Sequence, residues 1–262
     1  MKSINLKHIA LFQLVMLILL WIFYPSTFFP KPLEIYYAFI FLCTKFELLS
    51  ELLNSFSLIL HAMFISVICT ATIAYATKLP IFKISKYQIE FKIGNFVLPL
   101  SMIISKMRYL SLLGLSFFFT LMTSSGHDLK LYLMIFGIST YMLTSMLDIV
   151  NDENINLYYY AKTLGFSEYK ILFENTILGK IPLMLDAIKQ NFAIGLVMLT
   201  AVEGLVRSEG GIGALLLNQA KYLKLDAVFA IQITIFLTAF LIDYLFTLIK
   251  DIVCPYLKYS SK

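Results

Sequence analysis

The chain has 262 residues, of which 60% are hydrophobic and only 14% are charged, and its formal net charge is +5. Soluble domains are nearer a quarter charged, so this composition excludes an ordinary soluble protein. It predicts a polytopic membrane protein with a single membrane domain over residues 1–262. The three cysteines and three histidines are scattered, so no disulfide framework or metal site is indicated.

The apolar segments predict an all-α bundle of about six spans, because a helix needs about 20 apolar residues to cross the hydrocarbon core. The first, 9–24, could be a signal peptide, but a proline-rich segment rather than a small-residue cleavage site follows it. We therefore expect an uncleaved first span. The other five spans are expected at 56–76, 96–122, 131–149, 183–206 and 228–249.

Two apolar segments are irregular. The third expected span has Pro99 near its start and is interrupted by Lys106 and Arg108, which could face a pore or extend to the membrane surface. The run 35–43 is short and lies between prolines and a lysine. We expect it to be an amphipathic helix at the membrane interface.

The distribution of lysine and arginine predicts the orientation. If the N-terminus is inside, the inner segments hold more of these residues than the outer segments do. The pattern predicts a multi-pass membrane protein with both termini in the cytoplasm. It also places the polar segment 151–180, between spans four and five, in the cytoplasm.

The polar segment has the signals of two short helices. Gly165 follows a helical stretch where a C-terminal cap needs positive φ, and Ser167 precedes Glu168 as a helix start does. We expect the second helix to end near Gly179 and Pro182 to open the fifth span. An ordinary amphipathic loop on the membrane surface fits the same periodicity.

This segment resembles the cytoplasmic coupling loop of ATP-binding-cassette (ABC) importer permeases, whose pattern is Glu-Ala-Ala, three residues, and Gly, followed by a hydrophobic-Pro element. Ala161 matches the second Ala, Gly165 the Gly and Pro182 a proline found in one branch. Tyr159 and Tyr160 stand where Glu and the first Ala would be, so the motif is degenerate.

The downstream residues are similar to those of the nitrate/taurine/sulfonate branch of that family. The matching features are a basic residue, an Ala-x-Glu-like element, a Gly-x-Gly turn, an Asp followed by Val-Phe-Ala, and an Asp in the last span. In this chain they are Lys189, Glu203, Gly211, Gly213, Asp226, Val228, Phe229, Ala230 and Asp243. The Pro-x-Pro entry after the first span is matched by Pro30 and Pro32, and the resemblance is weakest over 78–150.

The resemblance implies a non-enzymatic permease that pairs with a second copy of itself, lies in the lipid of a bacterial cytoplasmic (inner) membrane and binds no nucleic acid. Cytoplasmic ATP-binding subunits would bind ATP, since this chain has no phosphate loop and needs no cofactor of its own. An extracytoplasmic binding protein would deliver the solute, a small anion (sulfonate, taurine or nitrate) or a vitamin-precursor pyrimidine. The implied ATPase-coupling residues are Tyr159, Tyr160, Ala161, Lys162, Thr163, Leu164 and Gly165. The pathway or gate candidates are Lys189, Glu203, Gly211 and Gly213.

Several residues also have simpler interpretations. For Gly165 the simpler interpretation is a helix cap alone, and for Tyr158, Tyr159 and Tyr160 it is anchoring at the lipid headgroups. Pairs within one helix are also possible, since helix neighbours three or four apart can form ion pairs. These pairs are Glu203 with Arg207 and Asp186 with Lys189. For Asp243 the simpler interpretation is a polar contact between helices.

The whole chain also has alternative interpretations. A self-contained secondary transporter or channel is one, although the halves show no inverted repeat. An intramembrane enzyme is another, although no paired catalytic set is present at membrane depth.

Overall fold

The computed structural model describes residues 13, 16, 30–46, 48–76, 90–93, 96–99, 106–152 and 155–256. These residues are almost entirely helical. Within these described residues, four helices are long and apolar enough to cross a membrane: Leu48–Ala76, Gly126–Asn151, Leu178–Leu205 and Leu225–Val253. The predicted all-α transmembrane character is therefore confirmed, but the predicted number of six spans is not. The first predicted span, 9–24, lies outside the described residues except for Gln13 and Met16.

The N-terminal described part contains two helices, α1 (Pro32–Lys45) and α2 (Leu48–Ala76). Pro32 opens α1, where its missing N–H costs least, and the Glu34 carboxylate accepts the Lys31 N–H at 2.9 Å. Ile35, Ala38 and Leu42 form the buried side of α1. The run predicted at 35–43 is therefore part of a short helix, but its exposed side also carries large apolar residues such as Tyr37 and Phe41. Its amphipathic character and its location at the membrane interface stay predictions.

The third predicted span, 96–122, is not one continuous helix. Strands β1 (Glu90–Ile93) and β2 (Phe96–Pro99) pair as an antiparallel hairpin. A 3-10 turn, Met107–Tyr109, precedes helix α3 (Leu112–Met122). At 1.5 Å per residue α3 is about 16 Å long, about half of the hydrocarbon core. A proline and two closely spaced cations do not favour a regular apolar helix, which explains the failed prediction.

Helix α4 (Gly126–Asn151) is the most buried of the four long helices. Ser125 caps it by accepting the Asp128 N–H at 3.1 Å. After α4 the chain forms α5 (Ile155–Thr163) and α6 (Glu168–Ile171). A π-helical turn, Leu172–Ile177, and a 3-10 turn, Leu178–Lys180, follow α6 directly.

The 3-10 turn leads without a break into α7 (Ile181–Leu205), so the predicted end of the second loop helix near Gly179 is wrong. Pro182 has no N–H to donate. The Ile181 N–H bonds to the Leu178 carbonyl in 3-10 geometry instead, which keeps the backbone helical up to the proline.

Beyond α7 lie a 3-10 turn, Arg207–Glu209, and helices α8 (Ile212–Lys221) and α9 (Leu225–Val253). The main core lies between α2, α4 and α7 and includes Ile59, Met134, Ile138 and Leu199. A second core joins α1 to α9, the start of α2 and the start of α8.

Contacts between distant residues fix the helix directions. The start of α2 meets the end of α7, since Ser55 bonds Glu203. At the other end, the Tyr75 hydroxyl lies 2.8 Å from the Met184 sulfur. Helices α2, α4 and α9 thus run in one direction and α7 in the other. The segment 155–180 lies at one end of the bundle, the loop end, and α8 lies at the opposite end.

Candidate functional site

At the loop end, α5 and α6 are joined by a tight turn at Gly165, as the sequence predicts. Gly165 has φ +81°, the Gly165 N–H bonds the Lys162 carbonyl, and the Phe166 N–H bonds the Ala161 carbonyl. These two bonds are the Schellman pattern, which satisfies the last carbonyls of a helix. Ser167 then starts α6 by accepting the Lys170 N–H at 3.4 Å. We call residues 155–171 the helix–turn–helix loop.

The helix–turn–helix loop presents an apolar surface that no described residue covers. Ala161 and Ile171 are buried and hold the two helices together. Large side chains on the same loop and on the π-turn after it are half or more exposed: Leu157, Tyr159, Tyr160, Leu164, Tyr169 and Phe173. We call these six residues the loop apolar face. Exposed apolar side chains concentrated on one small element are typical of an interaction surface.

Among the remaining predicted coupling residues, Lys162 is exposed and its Nζ lies 5.6 Å from the centre of the Tyr158 ring. The Thr163 hydroxyl donates to the Tyr160 carbonyl at 2.7 Å. Both contacts stay within α5. They strengthen the short helix and leave the loop apolar face uncovered.

The loop is tied to the spans by Lys180. Its ammonium donates to the carbonyls of Ile149 and Asp152, at the end of α4. A cation at a helix C-terminus satisfies carbonyls that have no partner in the helix and matches the negative end of the helix dipole. Lys180 therefore joins the end of α4 to the start of α7 directly beneath the loop.

At the opposite end, three of the predicted pathway residues lie together in a buried polar network. Glu203 is 1% exposed, and its carboxylate accepts the Ser55 hydroxyl at 2.6 Å and the Gly213 N–H at 2.8 Å. The Ser55 oxygen accepts the Ile212 N–H at 2.8 Å. Glu51 accepts the Gly211 N–H at 2.5 Å. Together these acceptors satisfy the first N–H groups of α8.

We call Glu51, Ser55, Lys130, Glu203 and the segment 210–213 the Glu203 cluster. Lys130 is 3% exposed and donates to the Gly210 carbonyl at 2.7 Å. The carboxylates of Glu51 and Glu203 lie within electrostatic reach of Lys130. The hydrogen bond to Gly210 and the nearby negative charges lower the cost of burying this ammonium.

The glycines of the cluster are required by the geometry. Gly211 has φ +101°, and a Cβ there would lie 2.4 Å from the Glu203 carboxylate. A Cβ on Gly213 would lie 2.5 Å from the Thr200 carbonyl oxygen of α7. The Gly-x-Gly pattern thus allows the start of α8 to approach the end of α7 closely, with the Glu203 side chain between them.

Neither of the ion pairs considered possible along one helix is formed, and contacts between α7 and α9 replace one of them. Asp186 pairs with Lys250 at 2.6 Å, and Lys189 pairs with Asp243 at 2.9 Å. Each of these two ion pairs joins α7 to α9. The interpretation of Asp243 as a polar contact between helices is therefore confirmed. The predicted partner of Glu203, Arg207, instead donates to the Gly204 carbonyl at 3.1 Å.

The Lys189–Asp243 pair is partly exposed, although both residues belong to long apolar helices. The side-chain exposure is 30% for Lys189 and 57% for Asp243, and Lys189 also donates to the Thr247 hydroxyl at 3.0 Å. An ionisable pair on a spanning helix faces another protein surface or a water-filled space rather than lipid.

The sequence reasoning did not single out Glu51, Ser55 and Lys130 as site residues. For Glu51 and Ser55 the sequence contains one signal, since they are four residues apart and so share one helix face. Their partner at the start of α8 is more than 150 residues away, and no local pattern identifies it.

The chain was compared with protein-family models and with curated proteins. No family model matches it, and no curated protein is significantly similar to it.

Proposed function

We propose that this protein is the membrane-spanning permease subunit of an ABC importer of the nitrate/taurine/sulfonate type. Two copies form the solute pathway in a bacterial cytoplasmic membrane, with both termini in the cytoplasm. Separate ATP-binding subunits dock on the helix–turn–helix loop, and an extracytoplasmic binding protein delivers the solute.

The observation that carries this proposal is the loop apolar face. Tyr160 and Leu164 are 64% and 56% exposed, although the chain has a large core in which such side chains could be buried. The face belongs to a short capped helix that projects beyond the spans. A soluble partner with an apolar groove would bury these side chains, which is a common way to recognise an amphipathic helix.

The connection of the loop to the spans also fits a coupling role. The backbone is helical from Glu168 to Leu205, and Lys180 ties the base of the loop to the end of α4. A displacement of the docked loop would therefore reach α7 through the π-turn Leu172–Ile177 and α4 through the Lys180 contact. A partner shifts such an equilibrium only if it binds the two arrangements of the spans with different affinities.

The exposed Lys189–Asp243 pair supports a second copy or an aqueous path beside α7 and α9. The side of α9 that holds Asp243 also carries large exposed apolar residues, namely Phe236, Phe240 and Tyr244. An apolar surface interrupted by one ion pair fits an interface between copies better than it fits contact with lipid alone.

The test is purification of the tagged chain in mild detergent, with its co-purifying subunits identified and ATP hydrolysis measured. We expect a soluble subunit with a phosphate-binding loop, present in equal amount. Tyr160→Asp combined with Leu164→Asp should abolish that association, because the change places two charges on the loop apolar face. Tyr222→Asp is the matched control, since Tyr222 is 70% exposed but lies at the opposite end of the bundle.

The proposal fails if the purified protein contains no ATP-binding subunit. It also fails if the loop variant retains the subunit as fully as the control does. A stable oligomer that transports without any ATPase would instead establish the self-contained transporter.

A further inference from the structure

Helix α2 carries a row of polar side chains on its outer surface. Ser50, Asn54, Ser57 and His61 are all exposed, and their spacing of three and four residues places them on one side of the helix. At 100° per residue the four positions lie within about 60° of one another. We call these four residues the α2 polar stripe. They belong neither to the helix–turn–helix loop nor to the Glu203 cluster.

The α2 polar stripe begins at the α8 end of the bundle and extends to the middle of a span. Helix α2 is long and apolar enough to cross a membrane. His61 lies about 20 Å from either end of this helix at the helical rise. The imidazole is therefore near the centre of the span, about 17 Å along the helix from Ser50.

Polar atoms of the stripe have no partner in the part of the chain that the structure describes. The Ser57 carbonyl lies 2.8 Å from His61 Nδ1, and Nδ1 carries the proton because a carbonyl can only accept. In the neutral ring Nε2 is then an acceptor, and no described residue bonds it. The Asn54 amide also makes no hydrogen bond to a described residue. Hydrocarbon offers neither group a hydrogen bond.

The polar character of this side of α2 ends at His61. Further along the same side, Ile65 and Ile68 present exposed apolar side chains. Thr72 follows them, but its hydroxyl donates to the carbonyls of Ile68 and Cys69 at 2.9 and 2.8 Å, so it needs no partner outside the helix. This side is therefore polar from the α8 end to the centre of the span and apolar from there to the loop end.

A neighbouring side of α2 is apolar at the same depths. Leu53, Leu60 and Phe64 are exposed and lie about 60–100° to one side of His61. Leu60 and His61 are adjacent in sequence, so the two side chains differ in direction but hardly in depth. Lipid chains suit the leucine side, whereas the α2 polar stripe needs a different surrounding.

Two surroundings satisfy polar groups at this depth, namely another protein surface and a water-filled space. The change at the centre of the span favours water. A helix interface in a membrane packs along the length of the helix through small residues and scattered hydrogen bonds. Water that enters from the α8 end would instead reach Ser50 first and His61 last, which matches the extent of the stripe.

We propose that the α2 polar stripe lines a water-filled vestibule, which opens at the α8 end and closes between His61 and Ile65. Polar solutes in the vestibule hydrogen-bond the Asn54 amide and His61 Nε2. The assignment of the vestibule as the outer half of the solute pathway rests on the proposed permease function. The presence of water beside the stripe does not.

The experiment is thiol labelling of single-cysteine variants in nanodiscs, where the bilayer is intact and both of its faces are open to the reagent. Cys43, Cys69 and Cys254 are first replaced by alanine. The reagent is a trimethylammonium methanethiosulfonate, whose fixed positive charge excludes it from hydrocarbon. It reacts with the thiolate, and a thiol surrounded by apolar groups stays protonated.

His61→Cys is the main variant, and Leu60→Cys is its matched control at the same depth. We expect His61→Cys to react at least ten-fold faster than Leu60→Cys. Ile65→Cys should also react at least ten-fold more slowly than His61→Cys, because Ile65 lies beyond the closed end of the vestibule.

Asn54→Cys and Leu53→Cys form a second matched pair, which tests the stripe even if the loss of the imidazole disturbs folding. Asn54→Cys should react at least ten-fold faster than Leu53→Cys. Rates are compared among variants that elute as the parent protein does in size-exclusion chromatography.

The proposal is overturned if the stripe thiols react as slowly as their leucine neighbours, or if Ile65→Cys reacts as fast as His61→Cys. A dry interface between two copies would give slow labelling together with disulfide-linked dimers of His61→Cys on oxidation. Failure to co-purify an ATPase would remove the permease proposal and leave these labelling rates intact.

Discussion

Replacing Glu203 with alanine tests whether the Glu203 cluster fixes the end of the bundle. The substitution removes the acceptor for the Ser55 hydroxyl and for the Gly213 N–H, both of which are buried. No other acceptor replaces the carboxylate, because alanine ends at the Cβ. The end of α7 then loses its direct link to α2 and to the start of α8.

The expected cost follows from these two donors. Each buried donor left without its acceptor costs about 1–3 kcal/mol, so the loss for two is about 4 kcal/mol. For a chain of this size, 1 kcal/mol corresponds to about 2–4 °C, which predicts an apparent Tm about 10 °C lower. Glu203→Gln should lose less, since an amide oxygen still accepts one of the two bonds.

The assay is thermal unfolding in detergent, followed by fluorescence-detected size-exclusion chromatography. Glu209→Ala is the control, because Glu209 is an exposed acid close to the same turn. Ser55→Ala combined with Glu203→Ala should cost less than the sum of the single variants, because the two residues share a hydrogen bond. If Glu203→Ala lowers the Tm no more than Glu209→Ala does, the cluster does not fix the end of the bundle.

Three further predictions test other parts of the structure, and those for Gly165 and Lys189 rest on the proposed permease function. Gly165→Val forces a β-branched residue to φ +81° at a cost of about 1–2 kcal/mol, so it should leave the protein inserted but uncouple ATP hydrolysis from uptake. Gly165→Asn should keep most of the coupling, and unchanged uptake in the valine variant would refute the role of the turn. Gly211→Ala should lower the Tm about as much as Glu203→Ala, since its Cβ would clash with that carboxylate; an unchanged Tm would contradict this geometry. Lys189→Asp should impair transport and combining it with Asp243→Lys should restore part of it, whereas a double variant no better than the single one would show that the pair is not required.

The loop was predictable because its determinants are local. A helix cap and a helix start depend on residues within four positions of each other, and the sequence around Gly165 and Ser167 contains both. The continuation through Gly179 was not predictable from these rules. It depends on a π-turn, in which the hydrogen-bond pattern changes without any proline or glycine that requires it.

The sequence predicted the positions of the long apolar helices better than it predicted the partner of each charged residue. Asp186 and Lys189 are three positions apart, so helix periodicity made their pairing plausible. Each instead pairs with α9, because helix packing brings Lys250 and Asp243 within reach. Spacing along one helix shows which residues could meet, while the choice of partner depends on how the helices pack.

The two ends of α7 differ in how firmly they are held by neighbouring helices. At Glu203 the helix is held by hydrogen bonds to α2 and α8, so that end is fixed. At the loop end it continues through the π-turn Leu172–Ile177 into α6, and this turn interrupts the regular α-helical hydrogen-bond pattern. A force applied to the helix–turn–helix loop would therefore bend the π-turn first. The same force would rotate α7 about the Glu203 cluster only if the π-turn does not bend. The contact between Lys180 and the end of α4 would have to prevent that bending.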